Sequence, residues 1–199
     1  MGDVLIFCHD DIEFVHDDFG ERVLSHLTNH DVIGVAGASK MVDADWGHAG
    51  MRHVHGQIIH KPPGQADFLY FAAGLQAPIV ENIHALDGVF IGMQRRVWEA
   101  TKFDDATFNA FHVYDIDFTY RAHLAGFRNA VPMDLLLIHF SIGGYDLKWQ
   151  RENLKFLRKF PALTHLPAMH RHSNLHVKLK TLEQIECLHT GLLHHRFGA

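Results

Sequence analysis

The sequence predicts a single α/β domain, and three observations carry that expectation. Short, uninterrupted apolar runs of strand length recur along the chain, beginning with "VLIFC" at residues 4–8. Between the first two runs lies a stretch of helical period, which completes a strand, helix, strand unit. Polar and charged residues stand directly after the apolar runs, where open α/β sheets hold their ligands.

Taken in order, the elements are as follows. The run Val4–Cys8 is continuous rather than alternating, which suits a strand buried on both faces of a mixed, mostly parallel sheet flanked by helices. Behind Asp17 and Asp18, acids that favour a helix N-terminus, Phe19, Val23, Leu24 and Leu27 fall at helical spacing. "DVIGVAGA" at 31–38 reads as the second strand, running into a glycine-containing turn. Residues 39–67 are rich in turn formers, with a hairpin expected near His55 and Gly56; an excursion of this length is usually functional in a compact domain. "FLYFAA" and "IVENIHAL" read as further strands, and "DGVFIGM" leads into a short helix over "QRRVWEAT". A helix from Asp117 closes at Gly126, a residue suited to a left-handed C-cap. "NAVPMDLLLIHF" supplies another strand, with Pro132 tolerable near its start. The helix "LKWQRENLKFLRKF" is expected to bury Leu147, Leu154, Leu157 and Phe160 and to end at Pro161. One more helix is expected over 179–195. The chain therefore divides into a domain of residues 1–160 and a helical C-terminal extension of residues 161–199.

Composition narrows the function. With 199 residues, 47% of them hydrophobic, the chain has room for one sizeable core. No apolar run approaches the roughly 18 residues of a membrane span, so no integral membrane segment is expected. "MGDVLIFCHDD" lacks the basic and small-residue features of a signal peptide, which points to a cytoplasmic location. Eighteen Lys and Arg against 23 Asp and Glu give a formal charge of −5, without the basic, aromatic-interleaved stripe of a nucleic-acid binder. Two distant cysteines, Cys8 and Cys187, exclude a disulfide framework. The 19 histidines are unusual, several of them close together at 53–55, 170–172 and 194–195. Gathered in space they would indicate metal buffering; taken singly, most read as surface residues.

Chemistry concentrates in three stretches: "IFCHDD" (6–11), "VYDIDF" (113–118) and "LLLIHF" (135–140). An unpaired carboxylate in an apolar setting costs several kcal/mol, so His9, Asp10 and Asp11 at the end of a strand need something to meet them. Together with His139 they could converge on one cation, since oxygen ligands with an imidazole suit Mn²⁺ or Mg²⁺.

These stretches carry a resemblance. "HDD" after a strand, then "LDGVFIGMQRRVWEATKFDDATFNAFHVYDIDFTYRAHLAGF", then "IHFSIGG", resembles the glycosyltransferases of the GT-A fold, in particular the bacterial family-2-like branch, over roughly residues 4–150. The resemblance implies a metal-dependent enzyme that moves a sugar from a nucleotide diphosphate donor, of UDP type, to a hydroxyl acceptor with inversion. It implies that Asp11, with His139 and His9, holds the cation on the diphosphate, and that Asp10 lies near the ribose. Asp115 inherits the role of catalytic base, while Asp87, Gly88 and Trp46 face the donor. Asp117 and Arg121 match the acid and arginine that follow the base, and a first-turn helix acid is the structural alternative for Asp117. The departures are His9 for the usual leading Asp, Tyr114 for the usual Glu, and an N-terminally shortened domain that begins at the metal-motif strand. They leave a second expectation, a degenerate module of the same fold that binds metal and nucleotide without turnover.

Overall fold

The computed structural model describes residues 2–74, 77–165 and 175–197. The first half contains β1 (Val4–Cys8), β2 (Ile12–Phe14), α1 (Phe19–His26), β3 (Val32–Gly34), β4 (Ala36–Ala38), β5 (Val54–His60), β6 (Phe68–Ala73) and β7 (Ile79–Val80). It continues through β8 (Ala85–Leu86), β9 (Phe90–Gln94), α2 (Arg95–Thr101), α3 (Tyr114–Leu124), β10 (Asn129–Pro132), β11 (Leu137–His139), α4 (Leu147–Lys159), β12 (Leu175–Leu179) and α5 (Leu182–Phe197). Two mixed sheets result. One runs β1-β9-β3-β10-β7; the other runs β12-β6-β5-β11-β2, with β4 paired to β5 and to β8.

The mixed α/β class is the expected one, but parallel pairing is scarcer than the apolar runs suggested. Among the described residues only β10–β3 and β11–β5 are parallel. The reason is connection length: a parallel crossover needs a dozen or more residues, whereas most links here are short turns. β1 likewise is not buried on both faces. It is an edge strand, antiparallel to β9, with Ile6 about half exposed.

Several segments pass from one sheet to the other, and three short ones help determine where the site lies. Val35, fully buried, separates β3 in the first sheet from β4 in the second. Met133–Leu136 link β10 to β11 in the same way, and the buried Gln57 amide on β5 donates to the carbonyls of Met133 and Leu135, which have no ladder partner there. The third crossing is His9–Asp11, between β1 and β2. These acids are therefore not helix caps: α1 begins at Phe19, with Asp18 at its N-cap position.

Other expectations shift in detail. No hairpin forms at His55 and Gly56, because β5 runs through both; the hairpin instead joins β5 to β6. "IVENIHAL" yields only the two-residue strands β7 and β8, broken at Asn82, whose φ is 55°. α3 begins three residues earlier than read, at Tyr114. Past residue 160 the chain is not wholly helical: β12 adds a strand antiparallel to β6, and α5 buries Ile185 against Ile59, Tyr70 and Ile138. On α4 the expected stripe fails at two places. Leu147 and Leu154 are 69% and 53% exposed, while Phe156 is buried with Trp149, Leu157 and Phe160 around it. Aromatic rings bury more area than leucine, and they take the inner face.

α3 and α4 are clamped together by charge. Asp117 is fully buried and accepts from Arg121 Nε at 2.7 Å, and Lys159 Nζ lies 2.7 Å from both Asp117 and Asp104. Arg121 also donates to the carbonyls of Thr101 and Lys102 at the end of α2. Asp117→Ala, which strands these cations around a cavity, is expected to cost about 3–5 kcal/mol. Guanidinium unfolding at unchanged m-value measures this, and a loss below about 1 kcal/mol would show that the clamp is dispensable.

Candidate active site

The crossings and the start of α3 meet in one cleft. Its walls include His9, Asp45, Trp46, His60, Asp87, Phe111, His112, Tyr114, Asp115, His139, Tyr145 and Trp149.

One end of the cleft is a cluster of ligand-type atoms. The His9 backbone N–H bonds the Val89 carbonyl, and the Asp11 carbonyl accepts from Phe140 N–H, so the turn is pinned to both sheets. His139 ends β11 beside Ile12 and is buried. His139 Nε2 lies 3.1 Å from His9 Nδ1, 3.3 Å from Asp11 Oδ1 and 2.9 Å from the Ser141 hydroxyl. Burial pushes the His139 imidazole toward its neutral form, with His9 and His60 acting in the same direction against Asp11 and Asp87. For Asp11, burial is outweighed by the Ser141 hydroxyl and the two imidazoles, which hold its carboxyl below the usual range.

Geometry tests whether a divalent ion fits. Two ligand atoms about 2.2 Å from one ion and at right angles are ~3.1 Å apart. The separations of 3.1 and 3.3 Å, and 3.9 Å between His9 and Asp11, fall in that range. Among the described residues, this is the one grouping of three or more His, Cys, Asp or Glu with ligand atoms within 4.8 Å of one another. The histidines at 53 and 55 are instead bonded to Ser39, and 170–172 lie outside the described residues.

Asp115 lines the same cleft, in the first turn of α3. Its Oδ2 accepts from Gly88 N–H at 2.7 Å, and a Cβ on residue 88 would stand 2.6 Å from that oxygen. The Gly88 N–H and the N–H of Ile116 stabilise the anion, but burial and the neighbouring Asp87 carboxylate prevail, and the pKa rises to about 6. The Asp87 carboxylate accepts from Val89 N–H and from the Trp46 indole N–H, both at 2.9 Å. Trp46 thus lines the cleft with its N–H engaged. Tyr114, beside Asp115, is pushed up to about 12 by burial and by both carboxylates.

The structure brings His9, Asp11 and His139 together and places Asp87, Trp46 and Asp115 in the same cleft, with Gly88 against the Asp115 carboxylate. Asp10 is exposed and does not line the cleft; Asp117 is buried in the helix clamp. Two features escaped the sequence reading. His60 ends "QIIH" as His139 ends "LLIH", and the two histidines are paired in register on parallel strands, a repeated grammar that was available. Val113, the buried N-cap of α3, has φ 73°. For a β-branched residue this is a true outlier, and such strain clusters at functional sites. No sequence signal marks it.

Linkage gives the Asp115 shift a measurable consequence. A carboxyl with a raised folded pKa binds more protons native than unfolded between about pH 4 and 6, so its contribution is present below pH 4 and lost as pH rises through 6. Relative to wild type, Asp115→Asn should gain stability over that window, reaching ~3 kcal/mol above it. Chemical denaturation of both proteins across the window measures the difference; parallel curves would contradict the raised pKa.

A family model described as "Glycosyltransferase like family" matches residues 2–158. Among curated proteins, none matches the sequence.

Proposed function

The chain belongs to this glycosyltransferase-like family, and from that premise we propose that it transfers a sugar, with inversion, from a nucleotide diphosphate donor of UDP type to a hydroxyl acceptor. The observation that carries the reading is one cleft that holds both a cation-ligand cluster and a carboxyl of pKa about 6. His9, Asp11 and His139 would hold Mn²⁺ or Mg²⁺, the mixed nitrogen and oxygen set favouring Mn²⁺. When bound, the ion supplies positive charge where a leaving diphosphate gains negative charge.

Asp115 then has the protein's own part of the chemistry. Half-buried and near neutral in pKa, it accepts the acceptor hydroxyl's proton as that oxygen attacks the anomeric carbon, and its pKa suits transfer close to neutral pH. The Gly88 N–H holds the carboxylate in place, and Asp87, held by Trp46 and Val89, keeps its pKa raised. A single displacement in which this one base deprotonates the acceptor inverts the anomeric carbon. The cleft measures about 160 Å³, below the roughly 300–1,000 Å³ of a site for a drug-sized ligand, so only part of a nucleotide-sugar donor would lie within it.

Asp11→Ala should abolish Mn²⁺-dependent binding of uridine diphosphate, measured by calorimetry with Mn²⁺ and with chelator. Asp115→Asn should leave that affinity unchanged and lower kcat for nucleotide-sugar hydrolysis by about 10² to 10⁴-fold. Equal binding in chelator would refute the metal clamp. Nucleotide binding without turnover by wild type, with any donor, would favour the non-catalytic module.

A further inference from the structure

α4 faces solvent with a surface that the cleft chemistry does not use. Leu147, Arg151, Leu154 and Arg158 stand at i, i+4, i+7 and i+11, within ~60° of arc, opposite the buried Phe156. Lys148 flanks them, and all five are exposed. Arg151 and Arg158 make no ion pair with a described residue. The helix carries five basic residues against one acid, Glu152, which is buried and paired with Lys155. This basic face belongs to a chain whose formal charge is −5, so it is a local accumulation opposed to the overall charge.

Exposed apolar residues also stand before the helix: Ile142 and Tyr145 are about half exposed, and Phe111 is 68% exposed. His112 Nε2 lies 3.7 Å from Asp146 at the N-cap of α4, joining the segment that bears Phe111 to the one that bears Tyr145.

We infer that this face of α4, with Ile142, Tyr145 and Phe111, docks on an anionic lipid surface. Leucines set among unpaired basic residues on one helix face are what an interfacial helix presents to headgroups and acyl boundary. The opposite charge supplies long-range attraction, about fivefold in partitioning for each basic residue near the surface. Among the described residues, no helix is long and apolar enough to cross a membrane, so the attachment is peripheral.

Co-sedimentation of the intact protein with vesicles tests it. Vesicles of phosphatidylcholine and phosphatidylglycerol in equal parts should bind the protein at least about tenfold more strongly than phosphatidylcholine alone, and high salt should weaken that binding. Arg151→Glu with Arg158→Glu, and separately Leu147→Ser with Leu154→Ser, should each reduce binding at least about tenfold. All four side chains are exposed, so circular dichroism and Mn²⁺ affinity should match wild type. Failure of wild type to bind the anionic vesicles, or undiminished binding by both double variants, overturns the inference. So does a wild-type dimer that the leucine variant converts to monomer, which would assign the face to self-association. Asp11→Ala should bind vesicles normally, so failure of the cation reading and failure of docking are separately visible.

Discussion

A bare backbone at residue 88 is the constraint on which the cleft depends. Because Gly88 has no side chain, the Asp115 carboxylate can lie against its N–H at 2.7 Å, in space that a Cβ would occupy. That contact anchors the start of α3 to the turn before β9. The same turn carries Asp87 and the Val89 carbonyl, which receives the His9 N–H. One approach between backbone and carboxylate thus connects Asp115, through the turn at 87–89, to the segment that bears His9.

The charges follow from that arrangement. Two carboxylates, Asp87 and Asp115, are held side by side but in unequal surroundings. Asp87 is surrounded by the indole and backbone donors, while burial and the charge of Asp87 raise Asp115 to about 6. Burial likewise holds the His139 imidazole toward its neutral form. Strain at Val113 and the buried clamp of Asp117 with Arg121 and Lys159 hold the helix that delivers Asp115. Asp117, two residues after Asp115, is a buried structural acid.

The same economy of exposure separates the two faces of α4. Its aromatic residues fill the inner side, so its leucines and arginines are left outside. A helix whose polar side carries Leu147 and Leu154 gains nothing for the fold from them, and an interface gives them a role.

The sequence by itself determined the α/β class, most element positions, and the residues in which chemistry is concentrated. It did so because apolar periodicity, glycine C-caps such as Gly126, and acids at strand ends are local properties. The strand pairings were decided by tertiary structure, since short connections favour antiparallel neighbours wherever the chain folds back. So was the meeting of His9 and Asp11 with His139, 130 and 128 residues away in sequence, because only the crossings between sheets bring those turns together. Burial completed the division. Which of two acids two residues apart, Asp115 or Asp117, faces the cleft, and which leucines of α4 face water, depends on neighbours that are distant in sequence, and a local pattern contains no record of them.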